Sequence, residues 1–126
     1  MLLILALAFG LMGGTVVHAQ DKPKGTPLTG EDLKKLIGSG ALFELKRPGE
    51  RVTWFLAPRG SAWKGYLFDD GTGGQDTGTW RIVGDTLCLK FRFFPEGEHC
   101  ATHYKVGDNA YEYTRYDGER FSYFVR

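Results

Sequence analysis

The chain has 126 residues, which is room for one domain. Its 16 basic and 15 acidic residues nearly balance and are interspersed along the chain, so it lacks the basic face that nucleic acid or an anionic membrane would require. We therefore expect no nucleic-acid partner.

The first 19 residues have the pattern of a cleavable signal peptide. Leu2 to Phe9 is continuously apolar, glycines follow, and Val17-His18-Ala19 before Gln20 has the small-x-small form of a signal-peptidase site. The apolar run is shorter than the ~20 residues of a membrane span. We expect a periplasmic or secreted protein whose mature chain has no transmembrane segment.

A flexible leader is predicted at 20–27, because Asp21 to Pro27 contains two prolines and no apolar run. The single domain then covers 28–126 and begins with a short helix. Thr29 can cap this helix with Asp32 in the capping-box position, and Gly38 can end it. The apolar stripe of the helix consists of Leu33, Leu36 and Ile37.

From Ala41 onward the spacing of apolar residues changes from the helical period of 3.6 residues to the strand period of 2 residues. This pattern predicts strands separated by turns that contain Gly, Pro and Asp. The connections have hairpin length, so consecutive strands should pair antiparallel. The predicted fold class is mainly β: a short N-terminal helix and an antiparallel meander of about eight strands, either a small barrel or a strongly curled sheet. The predicted strands are 41–46, 51–57, 61–68, 77–83, 86–92, 98–106, 110–116 and 119–125.

Alternation along these strands also predicts which side chains face the core. The inward sets are Val52, Trp54 and Leu56; Trp80 and Ile82; Leu87, Leu89 and Phe91; and Phe121, Tyr123 and Val125.

Cys88 and Cys100 are predicted to form a disulfide, because an exported chain folds in an oxidising compartment. A register that pairs the two cysteines also places Lys90 opposite Glu98, which is a favourable cross-strand pair. A turn centred on 95–97 would shift the register and separate the cysteines.

His99 and His103 are the only histidines after residue 19. On a strand both point to one side, but side chains four residues apart lie about 13 Å apart, too far for one metal ion. We interpret them as solvated strand histidines; a zinc or haem site is the alternative.

No other segment carries a specific catalytic or metal motif. The acidic, glycine-rich segment 69–76 lacks EF-hand spacing and is interpreted as a wide hairpin turn, with a calcium loop as the alternative. There is no nucleophile elbow or phosphate loop. We therefore assign no catalytic or metal-binding residue and no cofactor.

The aromatic residues are the remaining signal, because they can fill the core, line an apolar cavity or form a recognition surface. Tyr and Arg are favoured at interfaces. A recognition surface is therefore predicted at the segment that carries Tyr111, Tyr113, Arg115 and Tyr116.

The segment Gly78-Thr79-Trp80 to Leu87-Cys88, followed by Cys100, Tyr104 and Gly107-Asp108, resembles small exported proteobacterial proteins of the DUF995 type. The helix opening at Leu28 and the turn at Asp70 are similar to that group as well. The resemblance implies a periplasmic location and this fold, and it assigns no site.

Three functional hypotheses follow from the sequence. The first is a non-enzymatic binding module for a small apolar ligand or an envelope protein. The second is an inhibitor or partner of a secreted hydrolase that acts through loop 69–76 or 93–98. The third is a small envelope hydrolase with carboxylates that the sequence cannot pair. A pocket lined by Trp and Tyr favours the first, and a filled core with a protruding loop favours the second.

Overall fold

The structure is a computed structural model and describes residues 25–93 and 95–126. The predicted signal peptide and most of the predicted leader lie outside the described residues. The elements in chain order are β1 (Thr26–Pro27), α1 (Gly30–Ile37), β2 (Ala41–Arg47), β3 (Glu50–Leu56), β4 (Ser61–Phe68), β5 (Gly73–Val83), β6 (Thr86–Phe91), β7 (Glu98–Ala101), β8 (His103–Gly107), β9 (Ala110–Thr114) and β10 (Arg120–Val125). The predicted class, mainly β with one short N-terminal helix and an antiparallel meander, is confirmed.

The strand count differs from the prediction in two places. Thr26–Pro27, the last residues of the predicted leader, form β1 and pair with β8. The predicted strand 98–106 is two strands, β7 and β8, with Thr102 between them. The division follows from pairing, because β7 pairs with β6 whereas β8 pairs with β9.

All strands belong to one antiparallel sheet with the order β1-β8-β9-β10-β2-β3-β4-β5-β6-β7. Strand β7 stands at one end of this order, and β8 stands next to β1 at the other end. In the chain, only Thr102 separates β7 from β8. The chain itself therefore brings the two ends of the sheet together, and the sheet is strongly curled. Its concave side holds the core.

Helix α1 lies at the end of the curled sheet that contains the β5–β6 turn. The predicted capping box is present: the Thr29 side chain accepts from the backbone N–H of Asp32, and the Asp32 carboxylate accepts from that of Thr29. Asp85 in the β5–β6 turn accepts a further hydrogen bond from the Gly30 N–H at 2.8 Å. Gly38 ends the helix with φ of 47°. Within the described residues no helix is long and apolar enough to cross a membrane.

The concave side of the sheet carries the predicted alternating residues. Trp54 and Leu56 on β3 and Phe121, Tyr123 and Val125 on β10 are all buried. Helix α1 adds its apolar stripe to the same cluster. These residues together form the hydrophobic core.

The predicted disulfide between Cys88 and Cys100 is present. The two residues are Cα partners between β6 and β7, and Lys90 pairs with Glu98 in the same register. Glu98 also accepts two hydrogen bonds from Arg81, at 2.8 and 2.6 Å. The bridge therefore holds the short edge strand β7 in register on β6.

Candidate functional site

A cavity opens at the end of the curled sheet opposite α1. Because consecutive strands run antiparallel, the connections 48–49, 69–72 and 115–119 and the described residues of 92–97 all gather at this end. The cavity has a volume of about 470 Å³. We call it the open-end cavity, and its volume falls within the range of roughly 300–1,000 Å³ typical of small-molecule sites.

The walls of the open-end cavity are mainly apolar and rich in aromatic rings. Strands β2 to β7 supply most of the lining residues. Three exposed rings stand at the mouth: Phe68, Phe93 and Tyr116, with 40%, 68% and 52% of their surfaces exposed. The aromatic lining residues are Trp54, Tyr66, Phe68, Phe91, Phe93, Tyr113, Tyr116 and Phe121.

The histidine His103 lies in the floor of the cavity. Its Nδ1 and the Tyr123 hydroxyl are 2.5 Å apart, and its ring stacks on Tyr113 with centroids 5.0 Å apart. Only 1% of His103 is exposed, and burial lowers its pKa to about 3, so the ring is neutral at physiological pH. The prediction of two solvated histidines is therefore wrong for His103, because its strand turns its ring into the aromatic core.

A basic and an acidic side chain face each other on one wall of the cavity. Lys64 on β4 and Asp76 on β5 are Cα partners, and both line the cavity. Lys64 is half-buried with Nζ 4.5 Å from the centroid of the Phe91 ring. Asp76 is buried and accepts from the backbone N–H groups of Thr77 and Phe93, at 2.8 and 2.9 Å. Asp76 therefore also fixes the loop that carries Phe93.

Two arginines at the mouth are held by acidic residues of neighbouring turns. Arg47 donates to Glu50 and to Glu119, each at 2.9 Å. Arg115 also donates to Glu119, at 3.0 Å, and to Asp117. Both guanidinium groups lie over the Phe121 ring, at 4.5 and 4.8 Å from its centroid. The network joins the β2–β3 turn to the β9–β10 turn.

The predicted recognition residues do not form one exposed surface. Tyr111 and Tyr113 are buried, because both face the concave side of β9. Tyr116 is exposed and Arg115 is half-buried. Tyr113, Arg115 and Tyr116 instead line the open-end cavity.

The two histidines do not converge on a shared metal position. His99 stacks on Tyr116 with centroids 4.5 Å apart, and its Nε2 lies 2.8 Å from the Glu96 carbonyl oxygen. Among the described residues, one group of three candidate ligands lies close together, namely Cys88, Glu98 and Cys100. The disulfide joins both of its sulfur atoms, so this group offers no thiolate ligand.

The acidic loop is shorter than the predicted segment 69–76, because β5 already begins at Gly73. Asp70 Oδ1 accepts from the N–H and the hydroxyl of Thr72, at 2.9 and 2.6 Å. These hydrogen bonds, from a side chain to the residue two positions on, are those of an Asx-turn. Asp76, at the end of the predicted segment, faces the cavity instead.

Sequence reasoning missed Lys64, Asp76 and Glu50 as lining residues. The available signal was their position: Lys64 lies between Ala62 and Tyr66 on the inward face of β4, where a charged side chain is unexpected. Comparisons with protein-family models, with curated proteins and with solved structures find no match.

Proposed function

We propose that this protein is a non-enzymatic binding module that holds a small, mainly apolar ligand in the open-end cavity. The observation that carries the proposal is the cavity itself: about 470 Å³, lined by aromatic rings and open between four turns. Ligand sites are commonly concave and apolar with a few polar groups.

The polar groups of the cavity support binding over hydrolysis. The carboxylates that line it belong to Glu50 and Asp76. Glu50 is bonded to Arg47, and Asp76 accepts from two backbone N–H groups. A glycosidase-type pair needs one carboxyl that donates a proton and another that attacks or activates water. Carboxylates already engaged in this way serve better as structural anchors.

The alternative of a hydrolase inhibitor gains less support, because its two loops take part in the cavity. Phe93 and Pro95 of the predicted loop 93–98 line the open-end cavity. Asp76, from the other predicted loop, binds the Phe93 N–H. A ligand in the cavity would therefore contact the residues that an inhibitor would present to its target.

Fluorescence titration with the neutral apolar probe N-phenyl-1-naphthylamine tests the proposal. The probe should bind the purified protein with a saturable rise in emission. Val52→Phe adds bulk to a half-buried wall position and should weaken binding about tenfold or more, which corresponds to ~1.4 kcal/mol. Val83→Phe makes the same change at an exposed position outside the lining and should leave binding unchanged.

Two results would contradict the proposal. One is the absence of saturable binding by the wild-type protein while its circular dichroism shows a folded β domain. The other is equal binding by the wild-type, Val52→Phe and Val83→Phe proteins, because the probe would then occupy another surface.

We propose that the protein acts after export, in the periplasm or outside the cell. The signal-peptide pattern of residues 1–19, the Cys88–Cys100 disulfide and the resemblance to exported proteins support this location. N-terminal sequencing of the protein recovered from the envelope or the medium should give Gln20 as the first residue. Recovery of the uncleaved chain in the cytosol with two free thiols would contradict it.

A further inference from the structure

Each cation in the lining of the open-end cavity has an acidic residue beside it. The cationic lining residues are Arg47, Lys64 and Arg115. For Lys64 the acid is Asp76, its Cα partner on the neighbouring strand. Burial lowers the pKa of the Lys64 ammonium group, and the charge of Asp76 acts in the opposite direction. The charge of Lys64 is therefore compensated by the protein itself.

The two arginines are held at the mouth by three acidic residues. Arg47 donates to Glu50 and to Glu119, each at 2.9 Å. Arg115 donates to Glu119 at 3.0 Å and to Asp117. Neither arginine is fully exposed, so salt screens these ion pairs less than it screens pairs on an open surface. The guanidinium donors at the mouth are consequently directed at the protein's own carboxylates.

The charges around the cavity disfavour an anionic ligand. Within the described residues, and with histidine counted as neutral, the three cations stand beside four acids, which gives a formal sum of one negative charge. The acids are Glu50 and Asp76 in the lining and Asp117 and Glu119 at the mouth. An entering anion would lose water without gaining an uncompensated cation. An uncharged apolar ligand would meet no such cost.

We propose that the open-end cavity selects uncharged ligands over anionic ones, and that Glu50, Asp117 and Glu119 set this selectivity by holding the two arginines. Both arginines line the cavity and lie over the Phe121 ring, so their charges would face an anionic ligand if the acids were removed. The proposal rests on the function proposed above and adds the charge class of the ligand and the residues that determine it.

Two fluorescent probes that share one carbon skeleton measure the selectivity. N-phenyl-1-naphthylamine is uncharged at pH 7.5, and 8-anilinonaphthalene-1-sulfonate is the same molecule with one sulfonate group. Titrations at low ionic strength keep the charges poorly screened. The wild-type protein should bind the uncharged probe about tenfold or more tightly than the sulfonate. Because an apolar cavity of any charge favours the uncharged probe, variants are needed to test the role of the acids.

Two double variants release the arginines one at a time. Glu50→Gln with Glu119→Gln keeps the size of both side chains and leaves the charge of Arg47 without an acid. Asp117→Asn with Glu119→Gln makes the equivalent change at Arg115. In each variant the ratio of the affinity for the uncharged probe to that for the sulfonate should fall about tenfold, as expected for a new hydrogen bond between charged groups.

A third double variant controls for total charge. Glu31→Gln with Glu44→Gln also removes two negative charges, but neither residue lines the cavity. Glu31 is bonded to Lys34 on α1, and Glu44 is paired with Arg126. The affinity ratio of this variant should equal that of the wild-type protein. Circular dichroism checks that each variant is folded.

The outcomes separate this proposal from the general one. Equal affinity of the wild-type protein for the two probes would overturn the charge selectivity but leave a ligand-binding cavity. An unchanged affinity ratio in the folded variants that release an arginine, or an equal fall in the control variant, would overturn the role of the three acids. The absence of saturable binding of both probes would overturn the proposed function as well.

Discussion

His103→Asn should remove a large part of the acid sensitivity of the fold. The pKa of His103 is about 3 in the folded protein, against an ordinary value of 6.5 for an unfolded chain. Below pH 6.5 the unfolded chain binds a proton that the folded protein does not, so stability is complete above that pH and falls as pH decreases. Asparagine places an uncharged amide near the position of Nδ1, where it can still bond to Tyr123.

The size of the effect follows from proton linkage. Each pH unit between the two pKa values contributes about 1.4 kcal/mol, so the wild-type protein should lose about 2 kcal/mol between pH 7.5 and pH 5.0 through His103. pH 5.0 is well above the folded-state pKa, so the size of the loss depends almost entirely on the unfolded chain. Carboxylates such as Asp117, whose pKa Arg115 lowers to about 2, lose their contribution only at lower pH.

Urea unfolding at pH 7.5, 6.5, 5.5 and 5.0 measures the loss. The free energy of unfolding should fall by about 2 kcal/mol more for the wild-type protein than for His103→Asn over this range. His99→Asn makes the same change at a half-buried ring on β7. Because this variant keeps His103, its free energy of unfolding should still show the fall of about 2 kcal/mol that His103 causes. Parallel pH profiles for the wild-type and His103→Asn proteins would refute the neutral, buried state of His103.

Three further predictions concern the stability of the fold, each measured by urea unfolding at pH 7.5. Replacing Cys88 and Cys100 together by alanine should cost about 3 kcal/mol, because the bridge closes a short loop; a loss under 1 kcal/mol would contradict that role. Thr29→Ala removes the helix cap and should cost about 1 kcal/mol, and an unchanged midpoint would count against the capping box. Gly78→Ala should lower the free energy of unfolding by about 3 kcal/mol, since a Cβ there would lie 1.9 Å from the Lys90 carbonyl oxygen. An unchanged free energy of unfolding would show that β5 and β6 can move apart.

The sequence predicts most of the fold because the signals for it are local. The change of apolar period at Ala41 and the glycine turns locate the strands, and the alternation locates Trp54, Leu56 and Tyr123 in the core. The Cys88–Cys100 pair also fixes the β6–β7 register. These features depend on neighbouring residues along the chain or on one hairpin.

The division of the predicted strand 98–106 was not predictable from local signals. The strand changes partner at Thr102, from β6 to β9, and that change depends on pairing between residues far apart in the sequence. His103 is buried for the same reason, since its cross-strand partner is Tyr113 and its ring enters the aromatic core. A pattern within one strand carries no information about these contacts.

The cavity depends on how far the sheet curls, which the sequence does not state. Tyr113, Arg115 and Tyr116 were predicted as a surface, but the curl turns them toward the cavity. Lys64 and Asp76 are charged residues at inward positions, where the alternation pattern alone favours apolar ones. Departures from the alternation pattern of this kind are expected at functional or strained sites.

The central claim, a ligand in the open-end cavity, is tested most directly by the indole N–H signals of the chain's three tryptophans. Trp54 lines the cavity, whereas Trp80, which donates to the Ala57 carbonyl, does not. Trp63 is not a lining residue, but it donates to Gln75, which is one. In a ¹H–¹⁵N titration with N-phenyl-1-naphthylamine, the account predicts a saturable shift of the Trp54 signal while that of Trp80 stays in place. A shift of the Trp80 signal without one of the Trp54 signal, or no shift of the Trp54 signal, would contradict it.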